Sequence, residues 1–168
     1  MERGCPRPHF GGAMIEIVRF KEEFASVFAD LNYAWISEHF TVEEHDREIL
    51  DNPFKVIVEP GGEVFFAVTD HGQVVGTAAM IKANDDLFEL SKMAVAPEFQ
   101  GKGLSNELMD ACIEFAREQH ASTIFLETNA KLAAALGLYN KYGFKHTPLD
   151  PNSEYSRANV RMELRVED

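Results

Sequence analysis

The run Met93-Ala94-Val95-Ala96-Pro97-Glu98-Phe99-Gln100-Gly101-Lys102-Gly103-Leu104-Ser105 decides the reading of this chain. It predicts a strand that stops at a proline, a short loop with two glycines, and the first turn of a long amphipathic helix. The first N–H groups of a helix have no partner inside it, and the helix dipole adds partial positive charge there. A strand–loop–helix junction of this kind aims several backbone donors at one point, which suits a phosphate or pyrophosphate. Gly101 and Gly103 carry no Cβ, so a ligand can approach their backbone closely. The stretch therefore points to a phosphorylated cofactor. Spacing excludes two common phosphate loops. A Rossmann fingerprint, G-x-G-x-x-G, needs a third glycine where this chain has Asn106. A Walker A loop, G-x-x-x-x-G-K-[ST], has no match around Gly101-Lys102.

Outward from this junction, apolar spacing predicts the remaining elements. Alternation over residues 15–20 reads as a strand. Phe24, Phe28, Leu31, Trp35 and Phe40 fall near helical spacing and predict a helix over 22–39. Thr41-Val42-Glu43-Glu44 reads as a capping box opening a second helix that ends near Asn52-Pro53. Strands are expected over 56–59, 63–69, 73–82 and 87–95, separated by turns at Pro60-Gly61-Gly62, Asp70-His71-Gly72 and Asn84-Asp85-Asp86. A helix over 103–119 places Leu104, Leu108, Cys112, Phe115 and Ala116 on its inner face. A strand over 123–128 follows, then a helix over 132–142 stopped by Gly143. Strands over 144–146 and 160–166 complete the order. That order predicts an α/β (α+β) fold, a mixed and mostly antiparallel sheet with helices on both faces.

The chain has 168 residues, 45% hydrophobic and 26% charged, which fits one globular domain, expected over residues 14–168. Residues 1–13 hold Arg3, Pro6, Arg7, Pro8 and Gly11-Gly12 and lack the apolar stretch of a secretory signal. They read as a flexible N-terminal extension, with Met14 as an alternative start. There is no apolar run of membrane-spanning length, and a cytoplasmic protein is the expectation. The net charge of -12 disfavours nonspecific nucleic-acid binding, which needs cations against phosphates. The same field favours a cationic partner or substrate. The two cysteines, Cys5 and Cys112, form no disulfide framework or metal-ligand spacing, so no metal is expected. Cys112 reads as a buried, reduced core thiol.

Gln100-Gly101-Lys102-Gly103-Leu104-Ser105 resembles the Q/R-x-x-G-x-G/A signature of the GNAT superfamily of acyl-CoA-dependent N-acetyltransferases, with Ser105 where that family has Gly or Ala. The preceding strand, Glu89-Leu90-Ser91-Lys92-Met93-Ala94-Val95-Ala96-Pro97, is similar to the family's cofactor strand. Leu126-Glu127-Thr128-Asn129 follows, and Leu138-Tyr139-Asn140-Lys141-Tyr142-Gly143-Phe144 resembles the L-Y-x-x-x-G-F block. The resemblance covers roughly residues 15–166. It implies acetyl transfer from acetyl-CoA to a primary amine by direct attack in a ternary complex, with the acceptor unidentified. A non-catalytic CoA-binding sensor of the same fold is the alternative. Family members are often dimers, so a homodimer is an expectation.

The resemblance also implies roles. The N–H groups of Gln100, Gly101, Lys102, Gly103, Leu104 and Ser105 cradle the CoA pyrophosphate. The pantetheine arm lies along Met93, Ala94 and Val95 like an added strand, and a backbone amide there polarises the thioester carbonyl. Asn129 is either a helix cap or a contact to the pantetheine. Tyr139 is the candidate general acid toward the CoA thiolate, since a phenol with a reference pKa of about 10 is protonated at neutral pH. Glu89 is the favoured general base, with Glu127 as its competitor. Alternation puts Glu89, Ser91, Met93 and Val95 on one face unless a bulge intervenes. Acceptor contacts would come from the first two helices and their connection, where the aromatic and acidic groups of Asn32, Tyr33, Trp35, Glu38, His39 and Phe40 suit a cationic amine. The competing reading, which the residues favour, makes Trp35 and Phe40 core residues and Glu38 an exposed one. The histidines His39, His45, His120 and His146 read as surface residues.

Overall fold

The computed structural model describes residues 9–10 and 13–166. The strands are β1 (His9–Phe10), β2 (Ala13–Arg19), β3 (Glu63–Thr69), β4 (Val74–Asn84), β5 (Leu87–Val95), β6 (Thr123–Thr128), β7 (Lys145–Thr147) and β8 (Val160–Arg165). The α-helices are α1 (Ala25–His39), α2 (Glu44–Leu50), α3 (Leu104–Glu118) and α4 (Ala133–Tyr142). The sheet order is β1-β2-β3-β4-β5-β6-β8-β7, and every neighbouring pair is antiparallel except β5 with β6. Of the expected N-terminal extension, residues 1–8 and 11–12 lie outside the described residues, and His9–Phe10 pairs with β2. Cys5 also lies outside them.

Period-two alternation makes the central strands two-faced. In β3, Val64 and Phe66 enter one cluster while Phe65 and Ala67 enter the other. The first cluster joins Phe28 and Ile36 of α1 to Ile49 and Leu50 of α2. The second packs Leu108, Cys112 and Phe115 of α3 on Met80, Phe88, Leu90, Ile124 and Leu126. Each large apolar side chain so buried contributes about 1.5–3 kcal/mol. Cys112 is fully buried, and burial pushes its thiol pKa up, so it remains a protonated core residue. No helix among the described residues is long and apolar enough to cross a membrane.

Two expectations need correction. Residues 56–59 are no strand, because Phe54–Val58 forms a π-helical turn with Ile57 fully buried. Pro53 starts it at φ -62, and Glu59 N–H closes it on the Phe54 carbonyl at 2.8 Å. The β-branched run Val56-Ile57-Val58 signals burial here, and tertiary packing overrides its strand propensity. The capping box of α2 also sits two residues later than Thr41. Glu43 is the N-cap, and its N–H donates to Asp46 Oδ2 at 2.8 Å.

Candidate active site

A parallel pair that separates creates the cleft. β5 and β6 are in register only from Leu87 with Thr123 to Glu89 with Phe125. Beyond Glu89, no described strand pairs with the β6-facing edge of β5. Nearby, Thr77 opposes Ala94 and Ala79 opposes Ser91, so β5 carries one extra residue there, with Lys92 at φ 54. Such a bulge bends its strand and raises the local twist. It also inverts the side-chain phase. Glu89 and Ser91 stay on the α1 face, whereas Met93 and Val95 turn to the α3 face and pack against that cluster. The bulge is the exception that alternation allowed for, and it separates Glu89 and Ser91 from Met93 and Val95. The resulting cleft has a volume of about 830 Å³.

One end of the cleft is built from backbone. Gly101 and Gly103 have φ 74 and 85, the left-handed region that glycine adopts without a Cβ penalty. Gln100 ties the loop back to β5 by donating from Nε2 to the Val95 carbonyl at 3.0 Å. Among the described residues, the N–H groups of Gly101, Lys102 and Gly103 find no acceptor. Leu104 and Ser105 add the first N–H groups of α3, which have no partner within the helix. Leu104 is itself buried and packs close beside Gly76, which anchors the helix start on the sheet. Gln100, Gly101, Gly103, Leu104 and Ser105 line the cleft. Lys102 does not line it, and its ammonium lies 5.7 Å from the Phe99 ring.

The middle and far end carry titratable groups. Tyr139 on α4 lines the cleft, half-buried, with its ring 5.8 Å from that of Phe144. Burial raises its pKa to about 12, so it holds its proton at neutral pH. Its hydroxyl has no hydrogen-bond partner among the described residues. Tyr142 differs: its hydroxyl donates to Asp110 Oδ1 at 2.7 Å and joins α4 to α3. Glu89 also lines the cleft, and its pKa is pushed up to about 7 by burial and then by the Glu127 carboxylate. Glu127 itself accepts a hydrogen bond from Ser153 Oγ at 2.7 Å. Asn129 lines the cleft, but its amide is engaged at both ends. Nδ2 donates to the Arg157 carbonyl at 2.8 Å and Oδ1 accepts from Lys131 N–H at 2.9 Å.

Asn32, Trp35, Glu38, His39 and Phe40 form the α1 side of this end. Tyr33 is not part of the lining, and its hydroxyl donates to Asp51 at 2.6 Å. His39 and His45 are half-buried rather than surface residues, and His45 packs its ring 4.9 Å from Tyr155.

Sequence reasoning missed the ion cluster behind that wall. Asp46 of α2 is fully buried and meets Lys92 Nζ at 2.7 Å. Arg157 grips both of its oxygens, at 2.8 and 2.7 Å. Lys92 also donates to the Tyr155 hydroxyl at 2.7 Å, and Arg157 reaches Glu43 at 3.1 Å. Burial alone would raise the Asp46 pKa, but the hydrogen bonds from Arg157 and Lys92 hold it well below the usual carboxylate range. The cluster locks the bulge of β5 to α2 and to the loop before β8. No local motif marks it, since its partners are 46 and 111 residues apart in sequence. No group of three or more His, Cys, Asp and Glu side chains among the described residues is placed to hold a metal ion.

Comparison with known proteins agrees with this architecture. The uncharacterized N-acetyltransferase YjgM of Escherichia coli is 37% identical over 100 residues, 58% of this chain and 59% of that protein. The N-acetylaspartate synthetase of Xenopus tropicalis is 40% identical over 86 residues, 51% of this chain and 32% of that protein. The chain thus spans less than two thirds of the length of either relative. A Salmonella typhimurium acetyltransferase, yncA, solved with its cofactor acetyl-CoA, superposes with a TM-score of 0.73 at 22% identity, covering 92% of this chain and 95% of that one. The profile of the Acetyltransferase (GNAT) family matches residues 24–144, most of the described fold including the β5–α3 junction, and the chain belongs to that family.

Proposed function

We propose that the protein transfers an acetyl group from acetyl-CoA to the primary amine of a small acceptor by direct attack within a ternary complex. One observation carries this reading. A poised carboxylate (Glu89), a protonated phenol without a partner (Tyr139) and a row of uncommitted backbone N–H groups line one cleft. The cleft fits CoA on its own features. The glycine loop offers donors suited to a pyrophosphate, and the free edge of β5 offers a backbone for an amide-bearing arm. Bound acetyl-CoA supplies an activated acetyl thioester.

The chain's own residues would do the rest. The 101–105 backbone holds the phosphates. Glu89, with a pKa of about 7, accepts the proton that an ammonium must lose before its nitrogen is nucleophilic. Tyr139 donates its phenolic proton to the departing thiolate. Backbone N–H groups near Met93 polarise the carbonyl. Glu127 keeps the Glu89 pKa high by like-charge repulsion, a positioning role rather than a transfer of protons.

Titrating CoA into the protein by calorimetry and following thiol release from acetyl-CoA over a panel of amines tests the proposal. Binding together with amine-dependent thiol release is expected. Absence of CoA binding overturns it, and binding without release from any amine supports a sensor instead.

A further inference from the structure

The acceptor end holds cations, Lys92, Lys131 and Arg157, beside its carboxylates. The two cations of the buried cluster, Lys92 and Arg157, are balanced there by Asp46 and Glu43. Lys131 is not balanced. Its ammonium stands 4.0 Å over the Phe40 ring and donates to the His39 carbonyl at 2.7 Å, and no described carboxylate pairs with it. Arg157 lies near the same ring at 5.7 Å, with three of its five donor N–H groups used by Asp46 and Glu43. Phe40 thus presents cationic groups to the cleft, while Glu89 and Glu127 hold the negative charge on the sheet floor. Glu38, the acidic residue of the α1 wall, is exposed.

An acceptor must bring its amine to Glu89. A second positive charge on the same molecule would then face Lys131 and Arg157, whereas a carboxylate would gain charge-assisted hydrogen bonds from them. Building on the acetyl-transfer reading, we propose that the acceptor is an amino acid, a free amine with a carboxylate a few bonds away, and that Lys131 binds the carboxylate. A polyamine has no group that could accept a hydrogen bond from Lys131.

The test is thiol release from acetyl-CoA with lysine, leucine, phenylalanine, aspartate and glutamate. Each is assayed beside the amine that remains when its carboxyl groups are removed, with spermidine as a cationic control. The expected kcat/KM is at least about 10-fold higher for one or more of the acids than for its matched amine, the scale of one charge-assisted hydrogen bond. Lys131→Ala should shrink that ratio by about the same factor through KM, and Lys131→Arg should restore it. Equal or faster turnover of the decarboxylated amines or of spermidine overturns the inference and leaves acetyl transfer standing. A ratio unchanged in Lys131→Ala also overturns it. Thiol release from neither set overturns the acetyl-transfer reading, and this inference with it.

Discussion

The two ends of the cleft are built by different physics. The 100–105 end uses backbone donors from consecutive residues, placed by two left-handed glycines and a helix start. The acceptor end uses side chains from α1, α2, β5, β6 and the loop before β8, held by a buried ion cluster. Local backbone chemistry tolerates change in the side chains around it. An assembled side-chain cluster does not, because each member leaves another charge buried when it is lost. Substitutions should therefore act differently at the two ends.

The largest effect is expected in the middle, where both ends meet. Tyr139→Phe should lower kcat by about 10²–10⁴, the usual contribution of a positioned acid. Acetyl-CoA affinity measured by calorimetry should barely change. Unaltered turnover would remove Tyr139 from the mechanism.

At the acceptor end, Asp46→Asn should cost about 3–5 kcal/mol of stability in denaturant melts, because Lys92 and Arg157 lose their buried counter-ion. The folded Asp46 pKa is depressed, so its stabilisation is present above the unfolded carboxylate value of about 3.9 and fades as pH falls through the lower folded value. The melting temperature of the native protein should drop along that acid limb, and the variant should lose less there.

Glu89→Gln should reduce kcat/KM by about 10² and flatten its rise with pH, which in the native protein is centred near 7. The stability effect has the opposite sign. The raised folded pKa means that the stability associated with Glu89 is fully present below about 4.3 and is lost as pH rises through about 7. The variant should then melt above the native protein at alkaline pH. A gain in stability with a loss of turnover marks a group held ionisable for function.

Gly101→Ala probes the backbone end more gently. Its Cβ would meet nothing within 4 Å, so only the positive φ is penalised, by about 1–2 kcal/mol. Acetyl-CoA should bind roughly 5- to 30-fold more weakly, with kcat at saturation little altered. Lys102→Ala should have the smallest effect, within about 2-fold on acetyl-CoA KM, since its exposed ammonium does not line the cleft.

The same contrast explains what could be read from sequence. The bounds of Glu63–Thr69, Leu87–Val95 and Thr123–Thr128 follow from apolar runs and flanking turns, and the glycine loop before α3 follows from residue spacing within six positions. These signals are local. The bulge at Lys92 is not legible, because the groups that hold the Lys92 side chain beside its φ of 54, Asp46 and Tyr155, are distant in sequence. Without the bulge, Met93 and Val95 would be assigned to the Glu89 face. The Phe54–Val58 turn was hidden for a similar reason, since a β-branched run reports burial whichever backbone achieves it. The acidic composition reports only a net charge, whereas the placement of Lys131 over Phe40 at the cleft depends on residues 91 positions apart and has no local signal.

The most direct test is a crystal structure of the protein with CoA. Pyrophosphate oxygens are expected within hydrogen-bond reach of the 101–105 N–H groups, the pantetheine along the free edge of β5, and the thiol facing Tyr139. CoA bound elsewhere, or a thiol turned away from both Tyr139 and Glu89, would contradict this binding mode.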